Sequence, residues 1–129
     1  VAEDMQDNFY GRRGVMWMRL RHRDTGRTVL FVNHHGPLSV NSGGSCGGRV
    51  TAHNLLRLMA TVGQEGDGLI LVGDFNANAA SLTIQELWPY LTHVYNGDSF
   101  GGVDNVFSNC NKSHVVRTDN LGSGGSDHN

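Results

Sequence analysis

GLILVGDFNA, residues 68–77, is the stretch on which the reading of the fold turns. Gly68 to Val72 is a short, wholly apolar run. It is too short for a helix and is expected to form a strand buried on both faces. It passes directly into Gly73-Asp74-Phe75-Asn76. A carboxylate is costly to bury without a partner, so Asp74 is expected at the mouth of a sheet or bonded to its neighbours.

Working upstream, Thr51 to Val62 places Leu55, Leu56, Met59 and Ala60 at helical spacing, with Gly63 as the stop. Residues 36–48 (GPLSVNSGGSCGG) form a long loop, and a loop of that length inside a compact domain is more often functional than not. Before it, Thr28 to Asn33 (TVLFVN) reads as a central strand. Asp24-Thr25-Gly26 is a turn. Gly14 to His22 alternates, with Met16, Met18 and Leu20 on one face and Trp17, Arg19 and Arg21 on the other, which predicts a half-buried strand. The two strands form a β-hairpin. Residues 1–13 read as a polar loop.

Downstream, a second helix starts near Thr83, where Thr83 and Glu86 have capping-box spacing, and carries Ile84, Leu87 and Trp88 as far as Pro89. Short strands follow near His93–Tyr95, Val103–Ser108 and His114–Arg117. A Gly/Ser-rich tail ends in Ser126-Asp127-His128-Asn129. The order β-β-α-β-α-β-β-β predicts α+β layers, with helices outside sheets around one core.

Composition bounds the function. The 129 residues, 38% hydrophobic and 17% charged, suit one folded domain and exclude a disordered chain. A formal charge of −2 speaks against a generic basic nucleic-acid binder. Six of the ten basic residues nevertheless lie between Arg12 and Arg27, as a phosphate-facing strip or a solvated strand face. No apolar run reaches the ~18 residues of a membrane span. Cys46 and Cys110 form no CxxC pair, which disfavours zinc. They admit one disulfide or two buried thiols. Their Gly/Asn-rich settings favour the disulfide and, with a single lysine at Lys112, an extracytosolic compartment.

The polar residues with chemical potential stand at strand ends: His34 and His35, Asp74 and Asn76, Asp104, and then Asp127 and His128 in the tail. Strand ends on one sheet edge can converge from distant positions. Together they suit phosphoester hydrolysis. A carboxylate such as Asp127 offers a hard metal cation its oxygen. A His–Asp pair orients and deprotonates water, and imidazole and amide donors meet the developing charge. There is no Walker loop and no His-x-x-x-His pair. The Gly-rich 42–48 stretch lacks the lysine of a phosphate-binding loop. Taken singly, each polar residue is an ordinary turn or surface group.

As an ordered set they are specific. LVGDFNA (71–77) resembles the Gly-Asp-Phe-Asn motif of the endonuclease/exonuclease/phosphatase (DNase-I-like) superfamily. GSDHN (125–129) resembles its terminal Ser-Asp-His, FVNHHGP (31–37) its strand ending in a catalytic His, and GGVDNVFSN (101–109) the strand between the last two motifs. The resemblance implies roles for the matching positions. His35 donates to the scissile phosphate or leaving group, with His34 structural. Asp74 binds or activates water, and Asn76 holds the phosphate. Asp104 orients His128, the general base, and Asp127 is a metal ligand. It also implies Mg²⁺, with Mn²⁺ or Ca²⁺ in its place, and a nucleic-acid or other phosphoester substrate. Arg12 is a further substrate-binding candidate.

The fold implied is a four-layer α/β sandwich, two mixed, mostly antiparallel sheets with outer helices, running to ~200–250 residues. Residues 1–129 are then expected to be its C-terminal portion. The implied metal-binding Glu of the N-terminal half has no good substitute here, since Glu3 and Asp4 lie in a non-strand stretch and Glu65 and Glu86 on or near helices. A completing segment or partner chain is expected over the open sheet. The alternative to a hydrolase, most simply a nuclease, is a non-catalytic structural or binding subunit derived from the same fold.

Overall fold

The computed structural model describes residues 13–129. The polar loop expected over 1–13 and the candidate Arg12 therefore lie outside the described residues, apart from Arg13 itself. Five strands form one sheet: β1 (Gly14–Arg21), β2 (Thr28–His35), β3 (Gly68–Asp74), β4 (Thr92–Asn96) and β5 (Asp104–Ser108). The helices are α1 (Gly48–Val62) and the one-turn α2 (Leu82–Gln85). The strand order is β1-β2-β3-β5-β4. β2 and β3 are parallel and joined through α1, while the other pairs are antiparallel. The apolar run at 68–74 is thus the central strand, and the hairpin is β1–β2.

One face of the sheet is covered. Leu30 and Val32 of β2, Leu71 of β3 and Phe107 of β5 pack under Ala52, Leu55 and Met59 of α1 and under Ile84 and Leu87. Burying each such large side chain contributes about 1.5–3 kcal/mol. The helix-covered face is where the period-two and helical patterns agree.

The opposite face is open. Met16, Met18 and Leu20 are exposed, at 71%, 51% and 52%, and Ile70 and Val72 are only half-buried. The expectation that β1 is half-buried and β3 buried on both faces is corrected accordingly. The described residues supply one sheet and helices on one side of it, which is two of the four layers that the resemblance implies.

Three smaller expectations also change. Ser81 caps α2, its Oγ accepting from the Ile84 N–H at 3.2 Å, in place of a Thr83–Glu86 box. Trp88 is 46% exposed, because the helix ends at Gln85 and the chain turns away before it. The strand expected at His114–Arg117 does not form. Lys112–His114 is a single 3-10 turn, and the residues after it pair with no strand, so β propensity has no ladder to act on.

The two cysteines are free and exposed. The expected Cys46–Cys110 bridge is absent for a geometric reason. Cys46 lies in the loop that Asn41 ties to Asn76, at the end of β3 where Asp74 pairs with Asp104. Cys110 follows Ser108, which pairs with Ile70 toward the other end. Four residues of strand span about 13 Å, beyond the ~7 Å that a disulfide can bridge. The extracytosolic expectation then rests on lysine scarcity alone. No helix among the described residues is long and apolar enough to cross a membrane.

Candidate active site

The site lies where β2 and β3 end side by side and β5 begins. Parallel pairing puts His34 and His35 beside Gly73 and Asp74, and antiparallel pairing sets Asp104 directly opposite Asp74. Topology alone therefore gathers three of the candidate positions.

Backbone contacts fix the Gly-Asp-Phe-Asn turn. The Asp74 Oδ1 accepts from the Asn76 N–H at 2.8 Å, which orients the carboxylate and leaves Oδ2 outward. Oδ2 lies 3.6 Å from His35 Nε2 and 3.9 Å from His128 Nε2. Phe75 is fully buried and its N–H donates to the Val103 carbonyl at 2.9 Å. The 36–47 loop is pinned on the same turn. The Gly36 N–H donates to the Asp74 carbonyl and the Asn41 N–H to the Asn76 carbonyl, both at 2.7 Å.

His128 arrives from the tail. Its Nδ1 donates to Asp104 Oδ2 at 2.8 Å, which leaves Nε2 free and facing Asp74. The Asp104 hydrogen bond is the main cause that raises the His128 pKa above the usual 6.5, with the charges of Asp104, Asp74 and Asp127 adding to it and burial opposing. The next residue fastens the segment, the Asn129 N–H donating to Ser99 Oγ at 2.9 Å.

His35 has a different environment. The Arg13 guanidinium contacts both ring nitrogens. A guanidinium has only donors, so the nitrogen it engages accepts and the imidazole is neutral. Burial first and the Arg13 charge second lower its pKa. Arg13 places a permanent cation at the site. It was only one of several basic residues in the sequence strip, and no spacing singled it out.

Asp74, Asp104 and His128 form the only group, among the described residues, whose potential metal-binding atoms come within 4.8 Å of one another. The two carboxylates offer a hard divalent cation oxygen donors. Asp127 is not in that group. It is exposed and acts on His128 through its charge. Asn76 is brought to the site but is 7% exposed, and its Nδ2 donates to the Gly36 carbonyl at 2.9 Å. In this arrangement it holds the loop against the turn.

Sequence reasoning missed Asn105. It is 1% exposed in the helix-covered face of β5. Its Nδ2 donates to the carbonyls of Ala77 at 3.0 Å and Val103 at 2.9 Å, and its Oδ1 accepts from His93 Nε2 at 2.9 Å. It ties the Asp74 turn to the start of β5. A polar residue at the same strand phase as Phe107 was the signal available.

His34 is structural, as expected. Its Nδ1 donates to the Gly14 carbonyl at 3.1 Å, while Nε2 is buried without a partner beside a cavity of about 20 Å³. Burial pushes its pKa down to about 4 from 6.5. Between those values the unfolded chain binds the proton more readily. The His34 contribution is therefore complete above pH 6.5 and is lost as pH falls toward 4, with a ceiling of about 3 kcal/mol. His34→Asn keeps a donor for Gly14 and removes the titration. The variant should lose less unfolding free energy than the parent between pH 7 and pH 4.5 in denaturant titrations. Parallel losses in the two proteins would refute this assignment.

No protein-family model matches the chain, and no curated protein sequence matches it. Solved structures do match. An endonuclease/exonuclease/phosphatase family protein from Bacteroides thetaiotaomicron aligns with a TM-score of 0.59 at 20% identity, over 75% of this chain and 42% of that one. A mannosyl-6-phosphatase from the same species aligns with a TM-score of 0.60 at 20% identity, over 75% and 43%. The human Nocturnin catalytic domain, with a bound sulfate anion, aligns with a TM-score of 0.54 at 15% identity, over 75% and 41%. The chain has the endonuclease/exonuclease/phosphatase, DNase-I-like fold over part of a domain, and it spans under half the length of these proteins.

Proposed function

We propose that this chain carries the water-activating part of a metal-dependent phosphoester hydrolase, most simply a nuclease that cleaves phosphodiesters. The observation that carries the reading is the Asp104–His128 pair aimed at Asp74 Oδ2, with His35 Nε2 near the same oxygen. A carboxylate on one imidazole nitrogen fixes the tautomer and raises basicity at the other. Water held by Asp74 Oδ2 attacks phosphorus and gives its proton to His128 Nε2. The bond from phosphorus to the leaving oxygen breaks, and that oxygen takes a proton from solvent water while neutral His35 offers it a hydrogen bond. The permanent charge of Arg13 attracts the phosphate.

Asp74 and Asp104 would hold a Mg²⁺ ion, or Mn²⁺ or Ca²⁺ in its place, with Asp127 nearby. Such an ion supplies charge neutralisation at the phosphoryl oxygens. The open face with Met16, Met18 and Leu20 supports a further reading. A segment outside residues 13–129, on this chain or another, covers it as the second sheet, and it brings the carboxylate that the metal site lacks.

The test is expression of the full reading frame and assay, with and without Mg²⁺, on plasmid DNA, RNA, a chromogenic bis-phosphodiester and a sugar monophosphate. Metal-dependent cleavage is expected, and EDTA should abolish it. In the same preparation Met16 and Met18 should resist peroxide oxidation. Oxidation at the rate of free methionine would exclude the covering segment. No cleavage of any ester would sink the hydrolase and leave the binding subunit.

A further inference from the structure

The end of the sheet away from the site carries two clefts that the hydrolytic steps do not use. α1 buries Ala52, Leu55 and Met59, and beside that face it turns His53, Leu56, Arg57 and Ala60 toward the first cleft. This cleft, of about 690 Å³, lies between the helix and the turn that follows α2. Leu30, Leu56, Met59, Leu69 and Leu91 give it an aliphatic lining. A second cleft, of about 610 Å³, adjoins it and shares Tyr90, Leu91 and Asn109. Trp88 and Lys112 line the second one. Clefts of this size with apolar walls and a few polar groups are where proteins take ligands.

The charge left over around the clefts has one sign. Asp67 is the only acid lining either, and it is spent on Arg19, whose Nε and Nη2 donate to its two oxygens at 3.0 and 2.8 Å. The Asn109 amide is spent on backbone, accepting from the Leu69 N–H and donating to the Asp67 carbonyl. Among the described residues, Arg57 and Lys112 form no ion pair. Tyr90 and Trp88 stand 68% and 46% exposed. Trp, Tyr and Arg are the residues that carry most of the binding energy at protein interfaces.

We propose that the paired clefts are the docking site for an acidic amphipathic segment of a partner protein. Its apolar side chains fill the two clefts where they meet at Tyr90, and its carboxylates face Arg57 and Lys112. A nucleic acid fits less well, because its phosphates call for cations throughout and the lining here is aliphatic. β3 carries about 17 Å of strand from Leu69 at the cleft to Asp74, so the docked partner leaves the candidate active site open. Docking here does not depend on hydrolysis.

The experiment selects binders from a random phage-displayed peptide library on the full-reading-frame protein and measures the Kd of the recovered peptides. Peptides rich in Asp or Glu and in Leu, Phe or Trp are expected. Arg57→Glu and Tyr90→Ala should each weaken them by about tenfold or more, while Arg57→Lys and Tyr90→Phe keep most of the affinity. All four variants should melt with the parent, since both side chains are exposed. Recovery of basic peptides, recovery of none, or binding indifferent to Arg57→Glu and Tyr90→Ala would overturn the proposal. So would a single-stranded oligonucleotide that binds through Arg57 where peptides do not. Resistance of Tyr90 to nitration in the peptide-free protein would mean that a segment of the chain itself fills the cleft, and it would overturn the proposal as well.

Discussion

Replacing Asp104 by Asn should cut phosphoester hydrolysis by about a thousandfold to ten-thousandfold while the fold survives. The change is nearly isosteric and leaves the β3–β5 ladder untouched. The amide keeps one oxygen to face the cation, so its main effect falls on the imidazole. Asp104 Oδ2 accepts from His128 Nδ1 at 2.8 Å, which holds the proton on that nitrogen and leaves Nε2 as the base. An asparagine amide can turn its donor toward Nδ1 and hold the other tautomer, in which Nε2 carries the proton and cannot accept one. His128→Ala should cost as much, since the base is gone.

The pH profile separates this role from simple structural support. The base works when neutral, and its pKa is raised from 6.5 chiefly by Asp104. The rate of the parent protein should therefore rise with pH through a limb above 6.5. In Asp104→Asn the residual rate should show that limb at lower pH. A variant with the parent's rate and the parent's limb would remove Asp104 from the mechanism.

Gly73→Ala should have the largest effect on stability, and Gly36→Ala a comparable one. Gly73 has φ +140°, a region that L side chains rarely adopt, and a Cβ there would lie 1.9 Å from the His34 carbonyl oxygen. Gly36 is blocked by contact alone, its Cβ falling 1.9 Å from the Phe75 carbonyl oxygen. Both obstacles are backbone and cannot swing aside. Relief requires β2 and β3 to separate at their site ends, which would break the Gly36–Asp74 bond at 2.7 Å. Each variant should lose at least about 3 kcal/mol and melt on the order of 10 °C or more below the parent. Gly66 is the control. It has φ +86° but nothing within 4 Å of its Cβ, so Gly66→Ala should cost only the strain of its backbone conformation. Equal melting temperatures for the variants at 73 and 66 would remove the close-approach argument.

The glycine of the Gly-Asp-Phe-Asn motif thus has a physical reason that its sequence position does not disclose. The motif could be read from one dimension because it couples an apolar run to a polar turn. The hairpin at 14–35, the helix ending at Gly63 and the strands near 93 and 104 were legible for the same cause. Local periodicity and turn chemistry act over a few residues, and the sequence contains them. The ordered motifs also pointed to His35, Asp74, Asp104 and His128; the pairing register gathers the first three at one sheet edge, and the bond to Asp104 brings in His128.

The amino-acid order alone therefore carried most of the element types, the strand starting at Gly68, and the identity of the residues that meet at its end; the strand order made it the central one. Which sheet face is covered came from packing in three dimensions, because alternation marks two faces without saying what packs on either. It also decided that Asn76 spends its amide on Gly36, that Arg13 sits on His35, and that Asn105 joins the turn to β5. These contacts span 40, 22 and 28 residues. Whether such groups meet depends on strand order and register, and a free thiol at Cys46 or Cys110 is set by the same distances.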